Sequence, residues 1–202
     1  MLALLLPIAI ATGLQEGDTW VSELTIRYVQ QSEGIDFKRQ SRLAFHVITV
    51  TTESTTIRVD STPLPADATK PVQETFVFSP GGALLSSEIT ANQDLARVHR
   101  MEWTAAEPKQ AISWARSWPT RSDLIEAKVT VRPTARTTKD ATMRITYLES
   151  GKQKGAATAK LITGLPIIED FEASLNDSIV PGAKKPGVVM VSERLKEIHL
   201  QQ

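Results

Sequence analysis

The stretch FHVITVTTESTTIRVDS, Phe45 to Ser61, decides how this chain is read. β-Branched and aromatic side chains lose little freedom in a strand and more in a helix. Phe45, Val47 and Thr49 alternate with His46, Ile48 and Val50 at the period of a pleat, which predicts a strand. The polar run Thr51 to Thr56 interrupts it, and Ile57 and Val59 then alternate with Arg58 and Asp60. Two such segments around a polar break predict a hairpin with one buried face and one wet face. No Asn-Gly or Asp-Gly marks the turn, so its register stays open.

The same alternation recurs along the chain. Trp20, Ser22, Leu24, Ile26 and Tyr28 share one face of a first strand, opposite Val21, Glu23, Thr25 and Arg27. Phe37 to Val50 returns as a long second strand, and Gln73 to Phe78 and Leu84 to Ile89 flank the turn residues Ser79-Pro80-Gly81-Gly82. Further on, Ile125, Ala127, Val129 and Val131 oppose Lys128, Thr130 and Arg132, while Met143, Ile145 and Tyr147 oppose Arg144 and Thr146. Ala157 to Leu161 and Val188 to Leu195 continue the pattern. Leu165 to Leu175 fits both a helical and a pleated spacing and is read as a strand.

The middle of the chain departs from the pleat. Thr90 followed by Gln93 resembles a capping box, which predicts a short helix over Asn92 to Trp103. Pro108 opens either a second helical turn or an ordered loop carrying Ile112, Trp114 and Trp118, stopped by Pro119. The expected fold is therefore mainly β: one antiparallel sheet of roughly nine strands, curled into a half-barrel or barrel, with a helical or loop insertion at about 91–119.

The chain starts with the short apolar run Leu2 to Ile10, and Ala9-Ile10-Ala11 matches a signal-peptidase site. A bilayer span needs about 20 apolar residues in a helix, so the run predicts a leader, residues 1–11, and export. Residues 12–202 then form one β-rich domain with no stable membrane span after cleavage. There are no cysteines, which removes disulfides and a lipid-bearing cysteine and fits a bacterial periplasm or exterior. Twenty-three basic residues balance twenty-three acidic ones, so no long-range field recruits nucleic acid.

The leader-like start, Trp20 to Tyr28 as first strand, the Asn92 to Trp118 insertion and the closing Val188 to Leu195 strand together resemble periplasmic lipoprotein-carrier domains of the LolA and LppX type. The resemblance is architectural and carries no sequence motif. It implies a curled half-barrel whose concave apolar face, covered by short helices, holds an acyl chain. It also implies a polar or arginine residue near the mouth, to which no position can be matched in the sequence.

Signs of catalysis are few. His46, His99 and His199 have no metal-ligand spacing, and no G-x-S-x-G elbow, H-E-x-x-H pair or phosphate-cradling glycine loop occurs. Glu169, Asp170 and Glu172 are the densest acidic cluster, but in a strand Glu169 faces away from the other two, which predicts a solvated edge. The reading is a non-enzymatic exported carrier of an apolar ligand such as a lipid acyl chain, without cofactor or metal. Trp103, Trp114 and Trp118, with Phe45 and Phe76, are the candidate ligand-binding residues, because indole and phenyl rings bring large apolar area. The alternative is an envelope or extracellular interaction domain that contacts a protein partner and binds no small molecule.

Overall fold

In a computed structural model, residues 13–65, 72–79, 84–87, 110–119, 124–149 and 152–201 are described. The expected leader and the helix expected over Asn92 to Trp103 lie outside them. In chain order the strands are β1 (Thr19–Gln30), β2 (Ile35–Val50), β3 (Thr55–Leu64), β4 (Val72–Phe78), β5 (Leu84–Ser87), β6 (Ile112–Pro119), β7 (Leu124–Arg136), β8 (Asp140–Glu149), β9 (Lys152–Ile162), β10 (Ile168–Ser178) and β11 (Gly187–His199). They form one sheet in the order β5-β4-β3-β2-β1-β11-β10-β9-β8-β7-β6, with antiparallel neighbours. Two meanders, β1 to β5 and β6 to β11, are thus joined where the first and last strands pair.

Alternation becomes burial. In β1, Trp20, Leu24, Ile26 and Tyr28 are buried while Glu23 and Arg27 are exposed. The face they start continues through Leu43, Phe45 and Val47, Ile57 and Val59, and Phe76 and Phe78 on one side. On the other it continues through Val191, Phe171, Ala159, Ile145 and Val131. The sheet is curled and not closed, so this face lies inside the curl and β5 and β6 form its edges. Leu24, Ile26, Phe45, Val47, Phe76, Val129 and Ile145, which the alternation puts on apolar strand faces, all lie on it.

The turns show what replaces the missing Asn-Gly. At the β2–β3 hairpin, the Thr51 N–H donates to Ser54 O at 2.8 Å, and the Ser54 and Glu53 N–H groups donate to Thr51 Oγ1. The β7–β8 hairpin repeats the device: Thr137 N–H donates to Asp140 O, and Lys139 and Asp140 donate to Thr137 Oγ1. A threonine hydroxyl taking the place of a backbone acceptor makes these turns without glycine. Between β1 and β2 the chain turns through a 3-10 turn (Gln31–Glu33), closed by Gly34 at φ 67°. That left-handed conformation is one glycine adopts without a steric penalty.

The structure corrects one expectation and sharpens another. Residues 112–119, read as a helical turn or loop, are strand β6, so the 91–119 insertion ends in a strand that pairs residue by residue with β7. The hydrogen-bond ladder to β7 satisfies the backbone in the extended state, and Ile112, Trp114 and Trp118 also fit a period of two. Leu165 to Leu175 resolves as β10 from Ile168 onward. The ladder shifts register between Ile168 and Asp170. As a result Glu169 bonds Lys160 at 2.9 Å, while Asp170 and Glu172 lie 3.2 and 3.5 Å from Arg194. The acidic cluster is a set of surface ion pairs, and among the described residues no group of His, Asp or Glu could hold a metal.

Candidate functional site

The interior of the curl is built by rows of residues in register across the strands. One row runs Val59, Phe45 and Trp20, and the Phe45 and Trp20 rings stack at 4.8 Å and 7°. Phe76, opposite Ile57, lies one step along from it, with Phe78 at 6.3 Å. Of the candidate ligand residues, Phe45 and Phe76 therefore belong to one wall, and both are buried. A second row runs Tyr28, Val189, Leu175, Gly155, Tyr147 and Val129, and reaches the backbone of Trp114. Trp118 is in register with Ile125. The side chains of Trp114 and Trp118, and all of Trp103, lie outside the described residues. In the sheet order β4 and β6 stand near opposite edges, so Phe76 and the two β6 tryptophans are separated by most of the sheet.

Gly155 marks a tight place in the second row. A Cβ there would lie 2.5 Å from Leu175 Cδ2 and 2.9 Å from Ser174 O, so the Leu175 side chain already occupies that position.

Polar groups interrupt the apolar wall. Glu193 pairs in register with Leu24, and Glu74 with Val59, so both buried carboxylates belong to the interior face. Ser22, on the same face of β1 as Leu24, is fully buried, and among the described residues its Oγ has no hydrogen-bond partner. A buried hydroxyl left unpaired costs about 1–3 kcal/mol.

At one end of the interior the structure shows a residue that sequence reasoning missed. Arg39 is in register with Ile26, an interior position, yet it is exposed. Its guanidinium carbon lies 5.8 Å from the ring centres of both Tyr28 and Phe37, which stack on each other at 5.0 Å. Cation–π attraction holds the charge over this aromatic pair. Among the described residues Arg39 makes no ion pair. On the same face its strand neighbours are Phe37 and Ser41, so β2 alone carries no signal that sets Arg39 apart.

No family model matches the chain, and no curated protein matches it. Among solved structures it is similar to one of lipovitellin concerned with lipid–protein interactions, at 10% identity and TM-score 0.49, over 94% of this chain and 26% of that one. The chain thus spans about a quarter of that protein. It is also similar to a beta-barrel-like protein with a domain of unknown function from Brucella abortus, at 11% identity and TM-score 0.46, over 94% and 100% of the two chains. A domain named for outer membrane lipoprotein sorting, from Vibrio parahaemolyticus, matches at 8% identity and TM-score 0.27, over 92% and 86%.

Proposed function

We propose that the protein is a non-enzymatic carrier that holds the apolar part of an amphiphile, such as a lipid acyl chain, inside the curl of its sheet. The observation that carries this reading is that one largely apolar face, interrupted only locally by Glu74, Glu193 and Ser22, runs from Phe76 on β4 to Val129 on β7 and lines a sheet that is not closed. The two edge strands of an open curl are not bonded to each other, so they can separate to admit a chain. Arg39, held over Tyr28 and Phe37 at the end of that face, supplies a cation for an anionic head group. Phe45, Phe76, Trp103, Trp114 and Trp118 are the proposed ligand contacts.

Export completes the reading, with cleavage after Ala11 and a periplasmic or extracellular site of action. Among the described residues no helix is long and apolar enough to cross a membrane. Intact-mass measurement of the exported protein tests the leader, and a mature chain still beginning at Met1 overturns it.

One observation favours the second reading, an interaction domain that binds a protein partner and no small molecule. Leu43, Met143, Ile145 and Leu161 are 0% exposed, so no void of even water size touches them. Titration with a fluorescent fatty acid separates the two. A carrier binds it saturably, releases it to unlabelled fatty acid, and loses affinity for the acid more than for its methyl ester in Arg39→Gln. A folded protein that binds neither form is the interaction domain.

A further inference from the structure

The face opposite the apolar interior is not a plain solvated surface. It carries a trough of about 670 Å³ that crosses β1, β11, β10, β9 and β8 and touches Thr134 on β7. Small side chains, among them Ser192, Ser174, Ala156 and Thr158, form its floor, and they alternate with interior residues along their strands. Adjacent strands lie about 4.8 Å apart, so four steps from β1 to β8 give a span of roughly 19 Å.

At each end of the trough a lining arginine has a second cation directly opposite it on the next strand out. At one end Arg27 faces Lys38 across β1 and β2. At the other Arg144 faces Arg132 across β8 and β7. Like charges in this position repel and destabilise the pair unless something compensates them. Arg27 is compensated, since its Nε and a terminal nitrogen donate to the Asp36 carboxylate at 2.8 and 2.5 Å. Glu172, the acidic residue lining the trough, lies 3.5 Å from Arg194. Among the described residues Lys38, Arg132 and Arg144 have no ion pair or hydrogen bond through their side chains. In a chain whose charges balance overall, this is a local excess of positive charge at both ends of one groove.

We propose that this trough binds an extended acidic segment of a partner protein, with one carboxylate held between Arg132 and Arg144 and a second near Lys38. A guanidinium pair suits a carboxylate because each presents a planar fork of donors. An extended peptide of about six residues, at roughly 3.3 Å each, covers the trough with its backbone, and its terminal Glu side chains reach outward toward the cations on β2 and on β7 and β8. Thr25, Thr158, Ser174 and Ser192 supply hydroxyls along the floor that can donate to and accept from a peptide backbone. A small free anion would need one cationic end and would leave the other uncompensated.

The test is fluorescence anisotropy with a labelled peptide of about six residues, Glu at both ends and Ser between, against the full chain at low salt. Wild type binds it, and R132Q/R144Q binds about tenfold or more weakly. The same peptide with Gln for Glu does not bind, and the melting temperature of R132Q/R144Q equals or exceeds that of wild type. No binding by wild type, equal binding by the double variant, or equal binding of the Gln peptide overturns the proposal. Complete displacement by inorganic phosphate matched in charge to the peptide also overturns it, in favour of a free-anion site. Should the double variant fail to fold, the Gln peptide still decides on wild type alone.

Discussion

The carboxylate of Asp18 accepts a hydrogen bond from the backbone N–H of Gln201 at 2.7 Å, and its second oxygen accepts one from the N–H of Gln15 at 2.6 Å. Asp18 is 1% exposed, and its own backbone carbonyl accepts from the Val47 N–H at 2.9 Å. Hydrogen bonds to a charged group contribute about 1.5–3 kcal/mol each, and a buried N–H left unmet costs in addition. Asp18→Ala is therefore expected to lower stability by about 3 kcal/mol, read from urea unfolding. Hydrogen exchange should rise at Gln15 and Gln201 together. An unchanged denaturation midpoint would show that water replaces the carboxylate.

Phe45→Ala removes the ring stacked on Trp20 and opens a cavity on the more aromatic wall. Phe-to-Ala changes in packed cores cost about 3–5 kcal/mol. The expected result is a loss in that range, with a red-shifted Trp20 emission in the folded protein. A loss below about 1 kcal/mol would mean the wall is loosely packed and able to collapse.

Gly187→Ala tests a close backbone approach. A Cβ there would lie 2.2 Å from Val29 O and 2.7 Å from Val180 Cγ2, and the first of these is backbone that cannot rotate away. Forcing extra volume into packed structure costs about 1–3 kcal/mol. Gly34→Ala meets nothing within 4 Å, but its φ of +67° is strained for alanine, so it is destabilised by conformation alone. Thermal melts of both variants should fall, and the Gly187 variant should fall further.

Ser22→Ala removes the buried hydroxyl that has no partner among the described residues. Deleting an unpaired buried polar group gains stability, up to about 1 kcal/mol. The melting temperature is expected to rise or stay level. A drop would show that the hydroxyl is satisfied in solution. Weaker fatty-acid binding in this variant, at unchanged stability, would place the ligand against Ser22.

The Arg27–Asp36 pair sets a pH dependence. Its hydrogen bond to Arg27 holds the Asp36 carboxyl below the usual aspartate range, and the same bond raises the Arg27 guanidinium. Asp177 is lowered in the same way by Lys154. A depressed carboxyl contributes stability that is present above its unfolded value and lost as pH falls through the lower, folded value. Both groups are on the surface, so the effect is small. In melts recorded from neutral pH downward, D36N/D177N should lose less stability than wild type below about pH 4. Parallel curves would mean that the pairs dissolve in solution.

Much of the fold was legible because alternation is a local property. Trp20 to Tyr28 and Ile57 to Val59 announce their buried face without reference to any partner. Residues 112–119 were misread because Pro108 and Pro119 bracket them and Trp114 and Trp118 sit four apart, which a helix would also place on one face. Ladder bonds to β7 decide that case, and they belong to the pairing of two strands rather than to the pattern within 112–119. Arg39 and the outer trough were illegible for a related reason. Arg39 gains its place only when β2 is registered on β1, and Arg132 meets Arg144 only through the β7–β8 pairing. Along either strand alone, each reads as an ordinary wet residue.

The pairing of β1 with β11 carries a consequence for how the chain reaches its native state. Strands β1 to β5 and β6 to β11 are each wound from local hairpins, which close quickly because their contacts span few residues. The seam between the two halves joins Thr19 to His199, so it waits for the last strand to leave the ribosome. Loop-closure entropy grows only with the logarithm of loop length, so the seam is slow to begin rather than costly to keep. Until then each half offers β1 or β11 as an open edge. A circular permutant that links residues 13 and 201 and opens between β5 and β6 would turn this late seam into a hairpin. It should fold faster while keeping the same strand order.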